Sequence, residues 1–251
     1  MRTAVAAGLL LAAILTGCVT ETTGGIPGPA ADDVRVRAQL DLARAYLENN
    51  DFDRARNPLN RALDIDPRSV EAHVLFAVLS EGEGETELAE AHYKLALKTQ
   101  PEHSQTLNNY ASFLYGEQRY EEAVAMLRKL VLDTDYHARG QAYENLGLAE
   151  LKIGETERAK AAFLRSLRLN LVQPRSALEL ADIAYADRDF TQASEYYDRF
   201  RTQAIQTPRS LCLGMKLAFA AGNVDQVASY GLALKNLFPD SAETRSCEVP
   251  R

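Results

Sequence analysis

One position recurs along this chain at Ala55, Ala89, Ala123, Ala159, Ala193 and Val227, in steps of 34, 34, 36, 34 and 34 residues. A period of that length, held over six copies, leaves few folds open. Four residues after it stands a bulkier side chain in five copies, Leu59, Tyr93, Leu127, Phe163 and Tyr197, with Gly231 in the sixth. Three residues further come Ala62, Ala96, Leu130, Ser166, Phe200 and Leu234. Spacings of four and three keep all three positions on one helix face. The small residue lets two helices approach, and the larger one fills the next gap. Pro67, Pro101 and Pro239 close three of the copies. Proline has no N–H to give and cannot continue a helix, so it ends the second helix of a pair. One such hairpin cannot bury its apolar face alone, so the copies stack on one another.

A helix–turn–helix unit of this period is the signature of the tetratricopeptide repeat (TPR). The expected fold is all-α: a right-handed superhelix of six repeats at 36–69, 70–103, 104–137, 140–173, 174–207 and 208–241. The first repeat begins near Asp32 or Asp33, both suitable N-caps. Its helices are predicted to run to about Glu48 and from about Phe52 to Ile65. Gly84, Gly154 and Gly222 fall at one point of the turn in repeats two, four and six, where a tight connection favours glycine. Repeat three departs from the rule. Asp135 stands where proline is expected, and two extra residues precede repeat four. Asp133 and Thr134 are candidate caps for the helix that follows. A change of superhelical pitch and a plain loop insertion are equal readings there. Repeat six is irregular too: Leu213-Gly214 sits one place early against Leu146-Gly147 of repeat four.

Residues 1–17 read as a secretory leader, with Arg2 ahead of the apolar run Ala4–Leu15. It ends in Leu15-Thr16-Gly17-Cys18, which resembles the bacterial lipoprotein cleavage box. The resemblance implies cleavage before Cys18 and acylation of Cys18 on its sulfur and its new N-terminus. Several acyl chains together anchor stably where one does not. Val19 is not the aspartate that many inner-membrane lipoproteins carry, so the expected address is the periplasmic face of the outer membrane. Residues 18–31, rich in Gly, Pro and Thr, read as a flexible tether. Residues 242–251 read as a tail.

The formal net charge of −7 argues against a nucleic-acid partner, which needs clustered Lys and Arg. His73, His92, His103 and His137 show no helical metal-site spacing, and no Cys-x-x-Cys is present. No phosphate loop or nucleophile elbow occurs. The expectation is a protein with no catalytic residues, cofactor, metal or small-molecule substrate. Tyr46, Tyr93, Tyr110, Tyr143 and Tyr197 fall on packing positions and read as core.

Binding is expected on the concave face, which the first helix of each repeat lines. The sixth place of the repeat holds Asp41, Leu75, Asn109, Asn145, Glu179 and Leu213. Asn109 and Asn145 are thus stacked equivalents, and an amide can both donate and accept toward an extended peptide; a solvated or turn-pairing amide is the open alternative. Leu40, Leu47, Val74 and Val78, beside Arg37 and Arg44, are read as an exposed apolar stripe over the first two repeats. The lysines of the carboxylate clamp found in chaperone-binding TPR proteins are missing. Cys212 and Cys247 remain once Cys18 is acylated, and an oxidising compartment favours their pairing. Two separate thiols are the open alternative.

Several segments resemble the type IV pilus biogenesis and stability family (PilF/PilW), the pilotins. They are Leu107–Leu114 with Gln118–Ala123, Tyr143–Leu148, Ser166–Asn170 with Gln173-Pro174, Ala177–Asp182 and Ala228–Lys235. The Asp133-Thr134 pair also looks like the family, whereas Cys212 and Cys247 depart from its pattern. The resemblance implies an outer-membrane lipoprotein without enzyme activity that binds the pilus secretin and promotes its localisation and multimerisation. The alternative function is a general periplasmic TPR adaptor lipoprotein for an envelope protease or outer-membrane barrel assembly.

Overall fold

A computed structural model describes residues 29–247. The leader, Cys18, the first part of the tether and residues 248–251 lie outside the described residues. Thirteen helices and no strand make up the described part. They pair as six hairpins: α1 (Pro29–Glu48) with α2 (Phe52–Ile65), α3 (Val70–Glu83) with α4 (Thr86–Thr99), and α5 (Ser104–Gly116) with α6 (Tyr120–Leu130). Then come α7 (Arg139–Lys152) with α8 (Thr156–Leu169), α9 (Pro174–Ala186) with α10 (Phe190–Arg201), and α11 (Pro208–Ala220) with α12 (Val224–Leu237). A short α13 (Ala242–Ser246) follows. The hairpins stack as a superhelix with the odd-numbered helices inside.

The repeat position read from the sequence lies in the packed core of the first five hairpins, while Val227 of the sixth is half-buried. Ala55, Ala89, Ala123, Ala159 and Ala193 are fully buried, and Leu59, Tyr93, Leu127, Phe163 and Tyr197 are buried beside them. Gly147 is a point of close approach in this core. A Cβ there would stand 2.6 Å from the ring of Phe163. Tyr93, Tyr110 and Tyr197 are core residues, while Tyr46 and Tyr143 are half-buried. The Tyr93 hydroxyl donates to Glu81, and that of Tyr110 to Glu90 at 2.9 Å.

Every hairpin turn uses one residue in the left-handed region. Gly84, Gly154 and Gly222 have φ of 77°, 79° and 70°. Their equivalents in repeats one, three and five are Asn50, Gln118 and Arg188, with φ of 56°, 61° and 62°. The turn geometry is therefore common to all repeats, and glycine marks only half of them.

Three expectations need correction. The first helix starts at Pro29, ahead of Asp32, because proline suits the first turn of a helix, where its missing N–H has no partner to lose. Asp133 does not cap α7, whose N-cap is Ala138 with no side-chain bond. Instead Asp133 accepts from the backbone N–H of Asp135 at 2.9 Å and from the Ser104 hydroxyl, closing its own loop onto α5. The tail is not featureless: α13 begins one full period after Pro208 and packs on α11 and α12. It is a truncated first helix of a seventh unit. A disulfide joins Cys212 on α11 to Cys247 at its end, with the Cα atoms 5.8 Å apart.

In repeat two, His73 and His92 meet through their Nδ1 atoms at 3.0 Å, and His73 Nε2 reaches the Pro67 carbonyl at 3.2 Å. A carbonyl only accepts, so His73 carries its proton on Nε2 and His92 donates from Nδ1. The His92 ring stacks on Phe76 at 4.6 Å.

Candidate functional site: the concave face

The inner helices define the concave face, and successive repeats contact each other there. At two junctions the second place of one repeat bonds the ninth place of the repeat before it, and at one of them the sixth place as well. Arg209 of repeat six shows the pattern best. Its guanidinium donates to both Glu179 oxygens, at 2.6 and 2.7 Å, and also to Asp182. Glu179 and the nearby Asp182 raise the Arg209 pKa still further above its usual range, so the clamp stays charged. In repeats one and two the same rows pair with the signs exchanged: Arg44 bonds Glu71, and also Asp41 at 3.0 Å.

The apolar stripe expected at the N-terminal end is only half there. Leu47 and Val78 are half-buried, and Leu47 packs against the core of the first repeats. Leu40 and Val74 are each only 4% exposed and are not groove residues. Leu40 belongs to a cluster with Ala43, Ala55 and Leu59, and Val74 to the next cluster with Ala77 and Ala89. Both stand at the fifth place of the repeat, which the following repeat covers as it stacks. Arg44 is present at the face but already paired.

Asn109 and Asn145 are stacked equivalents, each half-buried. Each has its oxygen engaged by a glutamine one turn earlier: Gln105 Nε2 to Asn109 Oδ1 at 2.8 Å, and Gln141 Nε2 to Asn145 Oδ1 at 3.3 Å. The glutamine pre-orients the amide, leaving its N–H groups as the outward donors.

Asn145 stands at a cleft. α3 and α5, α7 and α9, and α9 and α11 approach each other at only a few points, and α5 and α7 slightly less, although side chains of α5 and α7 share one core cluster. There α6 carries the junction to α7. Arg128 of α6 bonds the buried Glu150 at 2.7 and 3.3 Å, and Arg139 Nε donates to the Val131 carbonyl at 2.9 Å. The two extra residues before repeat four coincide with this heavier use of α6 at the junction. The space left between α5 and α7 is a cleft of about 150 Å³. Ala111, Leu127 and Leu148 line it with apolar surface; Ser112, Asn145 and Arg175 are its polar groups, and Tyr115 completes the lining. Sequence reasoning found Asn145 but missed Ser112, Tyr115 and Arg175. The 36-residue step was the available signal, because it marks the junction at which the repeat is irregular.

Among the described residues no group of three His, Cys, Asp or Glu side chains is placed to hold a metal ion. No helix among them is long and apolar enough to cross a membrane.

Comparison with known proteins matches this architecture. The tetratricopeptide repeat family model matches residues 40–101, 81–139 and 144–208. The type IV pilus assembly protein PilF of Pseudomonas aeruginosa is 42% identical over 247 residues, covering 96% of each chain. Its solved structure superimposes with a TM-score of 0.80 over 85% of this chain and 96% of its own. The crystal structure of PilW, described as a widely conserved type IV pilus biogenesis factor, follows at 27% identity and a TM-score of 0.71, covering 84% of this chain and 97% of its own. A repeat scaffold offering a concave face, with a relative this similar along nearly its whole length, places the chain in the PilF/PilW family of type IV pilus biogenesis proteins built from tetratricopeptide repeats.

Proposed function

We propose that this protein is a pilotin: an outer-membrane lipoprotein that holds a segment of the type IV pilus secretin on its concave face and promotes secretin localisation and multimerisation. The observation that carries the reading is the 42% identity to PilF across 96% of the chain. Members of this family bind protein partners, and the solenoid supplies the extended concave surface such binding uses. The Leu15-Thr16-Gly17-Cys18 box supplies the anchor, and Val19 the outer-membrane address. The inner face also gives contrasting chemistry along its length: paired charges at repeats one and two, amides at three and four, and the Arg209 clamp at six.

The test follows from where the structure puts the stripe. Leu40 is unsuitable for charge substitution, because Glu at a core position unfolds the repeat. Leu47→Glu with Val78→Glu alters the half-exposed positions instead. The double variant is expected to keep its helical spectrum and to lower secretin multimers in outer-membrane fractions strongly. Cys18→Ala is expected to release the protein from the membrane. Wild-type secretin multimers with a folded, correctly localised double variant would reject the N-terminal groove as the site. Wild-type multimers in cells lacking the protein altogether would reject the pilotin reading and leave the general adaptor.

A further inference from the structure

The gap between α5 and α7 combines three features that occur together nowhere else along the concave face. The first is its apolar lining. Leu127 belongs to the core cluster of repeats two to four and Leu148 to the cluster of repeats four to six, so the cleft opens on the seam between them. Tyr115 packs against both clusters and meets Tyr120 edge-on at 5.1 Å. A cleft of about 150 Å³ with such a lining has room for one aliphatic or aromatic side chain.

The second feature is an incomplete clamp. Arg175 occupies the same repeat position as Arg209, one repeat earlier. Arg209 finds Glu179 and Asp182 at the sixth and ninth places of the preceding repeat. At those places Arg175 finds Asn145 and Leu148, an amide and a hydrocarbon. Arg175 makes no ion pair among the described residues, although acidic side chains outnumber basic ones, 35 to 28. The third feature is the Asn145 amide, whose oxygen is held by Gln141 so that its N–H groups face outward beside Arg175. An apolar floor with two donors at its rim, one of them a cation, is complementary to an apolar side chain next to a carboxylate.

We propose that this gap is a socket for an extended segment of a partner protein. The segment places an aliphatic or aromatic side chain on Ala111, Leu127 and Leu148, and its neighbouring carboxylate on Arg175 and the Asn145 amide. The proposal rests on the adaptor reading of the concave face and adds the chemistry of the bound segment. The carboxylate completes the clamp that Glu179 and Asp182 complete for Arg209. The socket lies at the junction that carries the two inserted residues.

The test uses the purified full chain and a displayed library of random linear peptides as the probe. Three variants accompany the parent: Ser112→Trp to fill the mouth, Arg175→Glu to reverse the charge, and Arg175→Lys to conserve it. Ser112 and Arg175 are exposed, so the fold tolerates these changes, and circular dichroism verifies it. The parent is expected to enrich peptides in which an apolar residue adjoins Asp or Glu. Ser112→Trp weakens those peptides roughly tenfold or more. Arg175→Glu shifts the enrichment from acidic to basic neighbours, and Arg175→Lys keeps the acidic preference. No enrichment by the parent, enrichment indifferent to charge at Arg175, or peptides unaffected by Ser112→Trp each overturns the socket. Secretin multimers measured in cells carrying the same variants separate the two readings. Loss of multimers with Leu47→Glu and Val78→Glu, alongside peptides indifferent to Ser112→Trp, removes the socket and leaves the adaptor standing.

Discussion

Between repeats four and five a buried carboxylate joins two inner helices; between repeats three and four the corresponding positions hold no such bridge, and α6 makes most of the contact with α7. Glu144 of α7, only 4% exposed, accepts from the backbone N–H of Ser176 at 2.9 Å and from its hydroxyl at 2.7 Å. It thereby satisfies the first turn of α9 from outside, doing across a junction what an N-cap does within a chain segment. Gln141 Nε2 donates to the other oxygen at 3.0 Å, and Ser166 Oγ lies 3.1 Å from the Ser176 hydroxyl. One repeat earlier the equivalents of Glu144 and Ser176 are Asn108 and Ala142. The first turns toward Asn109 at 3.4 Å, and the second has nothing to donate from its side chain. The same solenoid thus contains a junction locked by polar groups at the inner helices and one that lacks that bridge and rests on apolar packing and on α6. Rigidity is set junction by junction, since each repeat contacts only its neighbours.

Removing the lock gives the largest expected effect. Glu144→Ala leaves the buried Ser176 N–H without its partner and should cost about 2–3 kcal/mol, read by urea unfolding followed at the helical band. Asn108→Ala at the unlocked junction should cost under about 0.5 kcal/mol. Equal costs at the two positions would remove the contrast. Gly147→Ala comes next. Its methyl would enter the ring of the fully buried Phe163, and the strain outweighs the gain in helix propensity, for a net loss of about 1–2 kcal/mol. A gain in stability would show that Phe163 moves aside freely.

The third expectation is a control on locality. Burial, with His73 beside it, holds His92 down at about 4 against the usual 6.5. The unfolded chain therefore binds the proton more readily. The contribution of His92 is complete above pH 6.5 and disappears as pH falls through that value toward 4. After allowance for partial solvent screening, about 1–2 kcal/mol should be lost in that window, and His92→Gln should flatten it. The pair lies in repeat two, away from both junctions, so the same loss should appear in the Glu144→Ala background. A different slope there would mean that the lock is felt along the whole stack. The smallest effect is expected from a transplant, Asn108→Glu with Ala142→Ser. The position equivalent to Ser166 is Leu130, which offers the new serine no hydroxyl, so stability should stay within about 0.5 kcal/mol of the parent. A clear gain would show that the junction can be closed without removing the inserted residues.

The sequence made the stacking unit legible because the unit is local. The small residue at Ala55 and its copies, the glycines with positive φ and the bounds of α2 all follow from contacts within one hairpin. What crosses between hairpins was harder to read. Leu40 and Val74 looked like groove residues because a helical wheel places the fifth position beside the sixth. Only the stacking of the next repeat decides that the fifth is covered. Asp133 looked like a cap because Asp suits caps, yet a nearby hydroxyl on α5 competes for it. Arg175 carries no signal of its own, and its meaning comes from comparison with Arg209 once the pairing rule between repeats is known. Asn50, Gln118 and Arg188 adopt the glycine geometry without being glycine, so the turn was visible in only half of its copies.

The short α13 bears on assembly. A solenoid's last hairpin presents the surface on which one more would stack, and a second copy of the molecule carries a first hairpin ready to use it. Contacts of that head-to-tail kind do not close on themselves and lead to open filaments. Here α13 lies on α11 and α12 where the next inner helix would go, and the Cys212–Cys247 bond fastens it covalently. The bond thus holds α13 over the end face of the last described hairpin, where one more inner helix would otherwise stack.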